Sequence, residues 1–212
     1  MFKLKAAAAL LLPLVLISCA KEGDLTDQGV IVNRSACPAV AIPAATGDIT
    51  LFDPATSRDA SAIDVVASIT NVRARCDETG TNIVSNVTFD VHARRRDGRG
   101  AREVVILYFA TVVQGGTNVV SKSISRVGLR FADGEVRAST SGTASAQVLR
   151  AAATLPQPIE AQITRRRKAG DADAALDPMA DPAVRTAVLR ASFELLVGFQ
   201  LTQEQLVYNA TR

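Results

Sequence analysis

The sequence predicts an all-β protein, an antiparallel β-sandwich of the immunoglobulin-like or fibronectin type III-like kind. Apolar and polar residues alternate along several segments, as they do in strands with one buried and one solvated face. Gly-Gly and Asp-Gly turns separate these segments at the spacing of short antiparallel strands. Because the chain has no Trp, only the architecture of an immunoglobulin domain is predicted, without its Trp packed on a disulfide.

Residues 1–18 are predicted to be a lipoprotein signal peptide with a helical apolar stretch. Two lysines precede the apolar run 6–17, which has the length of a signal h-region and is too short to span a bilayer. The run ends in Leu16-Ile17-Ser18-Cys19, the arrangement at which bacterial lipoproteins are acylated and cut. The alternatives are an ordinary secretory signal and a transmembrane helix with an incidental cysteine.

Residues 19–36 are predicted to be a lipidated tether that connects the membrane to the domain. A diacylglyceryl group on Cys19 with a further acyl chain holds a protein stably on a bilayer, since two or more chains suffice. Ala20 and Lys21 follow Cys19, where the sorting rule of enteric bacteria requires Asp for retention in the inner membrane. We therefore expect the periplasmic face of the outer membrane, with the inner membrane as the alternative.

The charge of the chain argues against nucleic acid as a partner. The 24 basic side chains fall to 22 when the two lysines of the signal are removed, against 21 acidic side chains. A net charge near +1 is no electrostatic footprint for DNA or RNA.

The two cysteines other than Cys19 are Cys37 and Cys76. Two thiols in an oxidising compartment most often pair. A disulfide between them would stabilise the folded state by about 4 kcal/mol in the chain-entropy model, because it closes a loop in the unfolded chain. Two free thiols or part of a metal site are the alternatives, although zinc would need further ligands.

The domain is predicted to be a single β-sandwich over 37–212. Alternation over 63–76 changes parity near Thr70-Asn71, which predicts a strand with a bulge. The run 103–113 is nearly all apolar, which predicts a central strand covered on both faces. Turns are expected at Gly115-Gly116 and Asp133-Gly134. Further strands are predicted at 83–94, 118–131, 135–149, 158–164 and 193–199.

The chain becomes polar after the predicted strand 158–164. Residues 168–182 are predicted to be an exposed loop. Asp181 followed by Pro182 has the character of a helix cap with proline in the first turn. Thr202 and Gln205 match a capping box, which predicts a short C-terminal helical turn.

Enzymatic chemistry is not expected, and neither is a cofactor or a metal. The single histidine, His92, lies on the polar face of its predicted strand between Asp90 and Arg94, where a solvated role is usual. No Gly-x-Ser-x-Gly motif is present. The acidic run from Asp171 lacks the Gly and the Glu that a calcium loop requires at its sixth and twelfth positions.

Two basic runs form a possible interaction surface for anionic lipid headgroups, lipopolysaccharide phosphates or an acidic partner. The alternative is that they are solvated loop charges. The members are Arg94, Arg95, Arg96 and Arg99 with Arg102 nearby, and Arg165, Arg166 and Arg167.

Three stretches resemble a group of uncharacterised lipoproteins of proteobacteria: Ala36-Cys37-Pro38, Val72-Arg73-Ala74-Arg75-Cys76 and the C-terminal run 193–209. The resemblance implies a secreted, lipid-anchored β domain and no reaction. The leading hypothesis is thus a non-enzymatic envelope protein whose sandwich binds another envelope component, with 198–208 as a structural keystone or a docking edge. A periplasmic module that binds a small molecule or a glycan is the alternative, and a concave pocket containing Tyr108 or Tyr208 would favour it.

Overall fold

A computed structural model describes residues 34–165, 170–172 and 176–211, and the backbone alone of 25–26 and 29–30. The predicted signal peptide, Cys19 and most of the predicted tether lie outside the described residues. The strands are β1 (Leu25–Thr26), β2 (Gly29–Val30), β3 (Ala39–Ala41), β4 (Asp48–Phe52), β5 (Ile63–Asp77), β6 (Asn82–Arg95), β7 (Arg102–Gln114), β8 (Asn118–Phe131), β9 (Arg137–Leu149) and β10 (Phe193–Phe199). The helices are α1 (Arg150–Ala153), α2 (Gln157–Thr164), α3 (Pro182–Ala191) and α4 (Gln203–Thr211).

Eight of these strands form the two layers of a β-sandwich, which confirms the predicted fold class. The first sheet has the order β3-β10-β7-β8, and the second has the order β4-β5-β6-β9. Every pairing within the two sheets is antiparallel except that of β3 with β10, which is parallel. Membership of the immunoglobulin or fibronectin type III group stays a prediction.

The core lies between the two sheets and is formed by alternate residues of both. Val65 and Ile83 of the second sheet are fully buried against Leu129 and Leu195 of the first. Burial of such a side chain stabilises the fold by about 1.5–3 kcal/mol. The period-2 pattern of the sequence thus produces the inner faces of the sandwich.

Two local features follow the sequence closely. The register of β5 against β6 shifts between Thr70 and Arg73, and Asn71 adopts a positive φ of 51° there, which confirms the predicted bulge. Gly115 and Gly116 have φ values of 63° and 80° in the turn between β7 and β8. Gly accepts this left-handed conformation without the steric cost that a Cβ brings.

Three elements differ from the expectations. The turn at Asp133-Gly134 forms as predicted, with a φ of 81° at Gly134, but it carries the chain from β8 in the first sheet to β9 in the second and so does not close a hairpin. Residues 158–164 lie in helix α2 and not in a strand, since Ile159 and Ile163 are spaced to pack on one helix face. The short edge strands β3 and β4 have no counterpart among the predicted strands.

A second, smaller apolar cluster lies among the helices, at the end of the sandwich where β7 ends. Leu155, Ile163 and Val184 are buried in this helical cluster, and Met179 packs on it. Asp181 caps α3 by accepting a hydrogen bond from the Ala183 backbone N–H at 2.8 Å, as predicted. Within the predicted loop 168–182, Pro178–Ala180 forms a 3-10 turn and Asp171 is exposed.

Candidate functional site

The two described cysteines form a disulfide. Cys37 and Cys76 are bonded, with their Cα atoms 6.2 Å apart. The bond connects the chain just before β3, in the first sheet, to the end of β5, in the second. It therefore ties the segment that enters the domain to the sandwich.

Arg95 is not part of an exposed surface, which corrects the prediction for this residue. Its exposed fraction is 2%, and its guanidinium lies 5.2 Å from the centre of the Phe131 ring. It donates four hydrogen bonds to backbone carbonyls of the loops 96–101 and 132–136: those of Gly98 (2.6 Å), Gly100 (2.8 Å), Ala132 (2.9 Å) and Glu135 (2.7 Å). Arg95 thus joins the two loops that cross between the sheets.

The sequence contained a signal for this burial. The inward residues of β6 are Ile83, Val87 and Val91, and position 95 continues the same parity. Its charge led to the prediction that Arg95 is a surface residue, whereas the alternation of inward and outward residues along β6 indicates an inward position.

The other arginines of the first basic run are exposed. Arg94 and Arg96 are open to solvent, and Arg102 pairs with Asp64 at 2.6 Å. Arg99 pairs with Asp97 at 2.6 Å. Side-chain and backbone hydrogen bonds from Arg99 lower the pKa of the Asp97 carboxyl to about 2. Much of this predicted surface is therefore balanced by neighbouring carboxylates.

The second basic run is described only at its start. Arg165 is exposed and lies 4.0 Å from Asp171, while Arg166 and Arg167 fall outside the described residues. Arg165 thus lies beside the helices at the end of the sandwich where β7 ends, whereas the first run lies where β7 begins.

His92 is exposed on the outer face of the second sheet, as its strand parity predicts. Asp90 accepts hydrogen bonds from Asn71 at 2.8 Å and from Ser141 at 3.1 Å. These bonds, the one from Asn71 first, lower the pKa of the Asp90 carboxyl. Asp90 is thus engaged by an amide and a hydroxyl.

The outer face of the first sheet carries exposed apolar side chains on β7 and β8. Strand β7 is central, and residues 110–113 are buried on both faces as predicted. Its first half is not covered on the outer face, because Val105 and Leu107 are 55% and 48% exposed. Cross-strand partners point to the same side of a sheet, and β8 adds a basic residue opposite Leu107 and an apolar one opposite Phe109. We call this surface the β7–β8 face, and its members are Val105, Leu107, Phe109, Lys122, Ile124 and Arg126.

A cleft opens between the two sheets beside the edge strands β8 and β9. Its volume is about 350 Å³. The Tyr108 hydroxyl lies in it and donates a 2.6 Å hydrogen bond to the Thr143 carbonyl across the gap. Ser123 and Ser125 of β8 line the same gap, and Asn86, Thr88, Thr143 and Ser145 of β6 and β9 border it.

Residues 198–208, predicted to be a structural keystone or a docking edge, pack in part against the chain itself. Gly198 is buried, and a Cβ there would lie 2.3 Å from the Thr46 hydroxyl oxygen. Thr202 and Gln205 form the predicted capping box, with bonds of 2.9 and 3.3 Å. It begins α4, a helix of nine residues and thus longer than the turn that was expected. Tyr208 of α4 packs edge-on against Phe52 at 5.2 Å.

No family model, curated protein or solved structure matches this chain. Among the described residues, no three His, Cys, Asp or Glu side chains lie together as metal ligands would. Within the same residues no helix has the length and apolar character needed to cross a membrane.

Proposed function

We propose that this chain is a bacterial lipoprotein, anchored through Cys19 at the periplasmic face of the outer membrane, whose β-sandwich binds another envelope component without catalysis. The observation that carries the proposal is the division of the three cysteines. Cys19 ends a lipoprotein signal motif, and the other two are joined in a disulfide, the state favoured in an exported protein. The resemblance to proteobacterial lipoproteins supports the same address.

Acylation of Cys19 is tested by the mass of the purified protein and by its fractionation. The full chain, produced in a diderm bacterium, should lose residues 1–18, gain the mass of acyl chains and sediment with outer membranes. The Cys19→Ser variant should stay unprocessed and unacylated. A wild-type protein with a free, unmodified thiol at Cys19 would refute the anchor.

The binding role is tested by crosslinking in intact cells. Photo-crosslinkers placed at Leu107 on the β7–β8 face and at Ser139 on the outer face of the second sheet compare two exposed positions. A discrete adduct from one position alone supports a binding surface. No adduct from either, together with an unaltered envelope in a deletion strain, would count against the proposal.

A second candidate function is supported by the cleft between the sheets. The hydroxyls of Tyr108, Ser123 and Ser125 suit a small polar molecule such as a sugar, because hydroxyls and backbone groups can exchange hydrogen bonds with it. Chemical-shift changes at Ser123 and Thr143 on addition of oligosaccharides would favour this function. Shifts spread evenly over both sheets would oppose it.

A further inference from the structure

We propose that the β7–β8 face rests on an anionic phospholipid bilayer, with its apolar side chains in the interfacial region and Lys122 and Arg126 at the phosphates. This inference rests on the proposed lipid anchor. It adds the orientation of the domain and identifies the chemistry of the surface that the face contacts.

The apolar content of the face is the first argument. Val105, Leu107 and Ile124 are each about half exposed, with fractions of 55%, 48% and 55%. They are neighbours on two adjacent strands, because Leu107 lies opposite Arg126 and Phe109 opposite Ile124. Contiguous exposed apolar side chains of this kind mark surfaces that contact a membrane or a partner.

The positive charge of the β7–β8 face favours contact with an anionic membrane surface. Lys122 and Arg126 alternate with Ile124 along β8, and the Lys122 ammonium lies 5.4 Å from the centre of the Phe109 ring. Arg130, further along β8, pairs with Glu103 at 3.3 Å. Apolar side chains interleaved with cations are the composition of elements that lie in a membrane interface. A second copy packed through this face would bring the cations of both copies together.

The point where the chain enters the domain is the third argument. Arg34 donates hydrogen bonds to the Ala153 carbonyl at 2.9 Å and to the Ala191 carbonyl. The β7–β8 turn is held against the same helical end, since the Gly115 backbone N–H donates to the Ser192 carbonyl at 3.0 Å. The tether therefore arrives at the end of the sandwich where the β7–β8 face begins.

The tether is also short enough to keep this face near the bilayer. Arg34 lies fifteen positions after Cys19, and such a segment spans at most about 50 Å when fully extended. A domain held within that distance meets the bilayer at a high effective concentration, so that a modest attraction is sufficient for docking.

The test uses the full acylated chain in vesicles with a dye on a single introduced thiol. Ile124→Cys reports on the β7–β8 face, and Ser139→Cys on the second sheet is the matched control. Both positions are exposed edge-strand sites, and the native cysteines are acylated or bonded. Spin-labelled lipids that quench the dye are added to vesicles of phosphatidylglycerol with phosphatidylethanolamine, or of phosphatidylcholine alone.

We expect strong quenching at position 124 in the anionic vesicles and weak quenching at position 139. Lys122→Gln with Arg126→Gln should lower the docked-to-undocked ratio roughly 25-fold, since each cation near an anionic surface contributes about 1 kcal/mol. Equal quenching at both positions overturns the inference. The inference is also overturned if the dye at position 124 is shielded in whole envelopes but not in protein-free vesicles, because another protein then covers the β7–β8 face.

The mass of the same preparation separates the two proposals. If the protein is acylated but the dye at position 124 is not quenched, the lipid anchor is supported and the docked face is refuted. In an unacylated protein the anchor is wrong, and the face is then judged by flotation with anionic vesicles: flotation lost in the Lys122→Gln, Arg126→Gln variant supports it, and no flotation refutes it.

Discussion

The two sides of the sandwich differ in the length and the exposure of their edge strands. On one side the edge strands β3 and β4 have three and five residues, residues 43–47 connect them, and helix α4 packs against β4. On the other side the edge strands β8 and β9 have fourteen and thirteen residues, and Asn118–Arg126 are all exposed. Exposed edge strands present unpaired backbone groups, which proteins shorten, charge or cover.

The covered side is held by polar contacts at long sequence separation. The Asn209 amide donates to the Ala45 carbonyl at 2.9 Å and to the Asp48 carbonyl at 2.7 Å. The Phe199 backbone N–H donates to the Thr46 carbonyl at 2.8 Å. The C-terminal helix and the end of β10 thus hold the segment 45–48, which leads from β3 into β4.

The open side is closed only at one corner. The turn 132–136 joins β8 to β9, and Arg95 binds it to the neighbouring loop 96–101. Beyond this corner lies the cleft, which Tyr108 bridges with one hydrogen bond. The β7–β8 face and the cleft both include residues of β8, the exposed edge strand on this side. The uncovered edge is therefore where both candidate binding surfaces lie.

The largest effect is expected at the closed corner. Arg95→Met should lower the free energy of unfolding by about 3–5 kcal/mol, because four carbonyls of two loops lose a buried cationic donor. Urea unfolding followed by circular dichroism measures this. Arg99→Met, at a side chain 91% exposed, is the control and should change stability far less, because its ion pair lies in solvent. Equal effects of the two variants would contradict the assignment of Arg95 to the corner.

A smaller loss is expected on the covered side. Asn209→Ala removes two hydrogen bonds between α4 and the segment 45–48, each worth about 1 kcal/mol net, so that about 2 kcal/mol should be lost. Amide hydrogen exchange should increase in β4 and α4 and stay unchanged in β8. Asn118→Ala, on the open edge, is the control. Faster exchange in β8 and β9 instead would break the distinction between the two sides.

The cleft should respond more weakly still. Tyr108→Phe keeps the ring, which packs edge-on against Phe89 at 5.1 Å, and removes the bond to the Thr143 carbonyl. The expected loss is about 1 kcal/mol, since that carbonyl can turn to water in the cleft. Faster exchange confined to β9 would show the sheets separating at the open side. Unchanged exchange throughout would mean that the bridge does not hold the cleft closed.

The sequence predicts local features of the fold better than features that depend on distant contacts. The bulge near Asn71 and the Asp181 cap depend on a few neighbouring residues, and both were predictable. Whether the turn at Gly134 stays in one sheet depends on where β9 pairs, which no local pattern contains. The exposure of Leu107 is similar, because an apolar residue on a central strand is covered or exposed according to what packs on that sheet face.

The smallest effect concerns the exposed ion pair next to the closed corner. Hydrogen bonds from the Arg99 side chain and backbone lower the pKa of Asp97 from 3.8 to about 2. A carboxyl whose pKa is lower in the folded state stabilises the fold above its unfolded pKa, and this contribution is lost as the pH falls toward 2. Carboxyl-carbon NMR should therefore show Asp97 titrating near 2. In Arg99→Met the backbone N–H donor remains, so the pKa should rise only part of the way to 3.8. A wild-type pKa at the ordinary value would show that Arg99 and Asp97 are independently solvated.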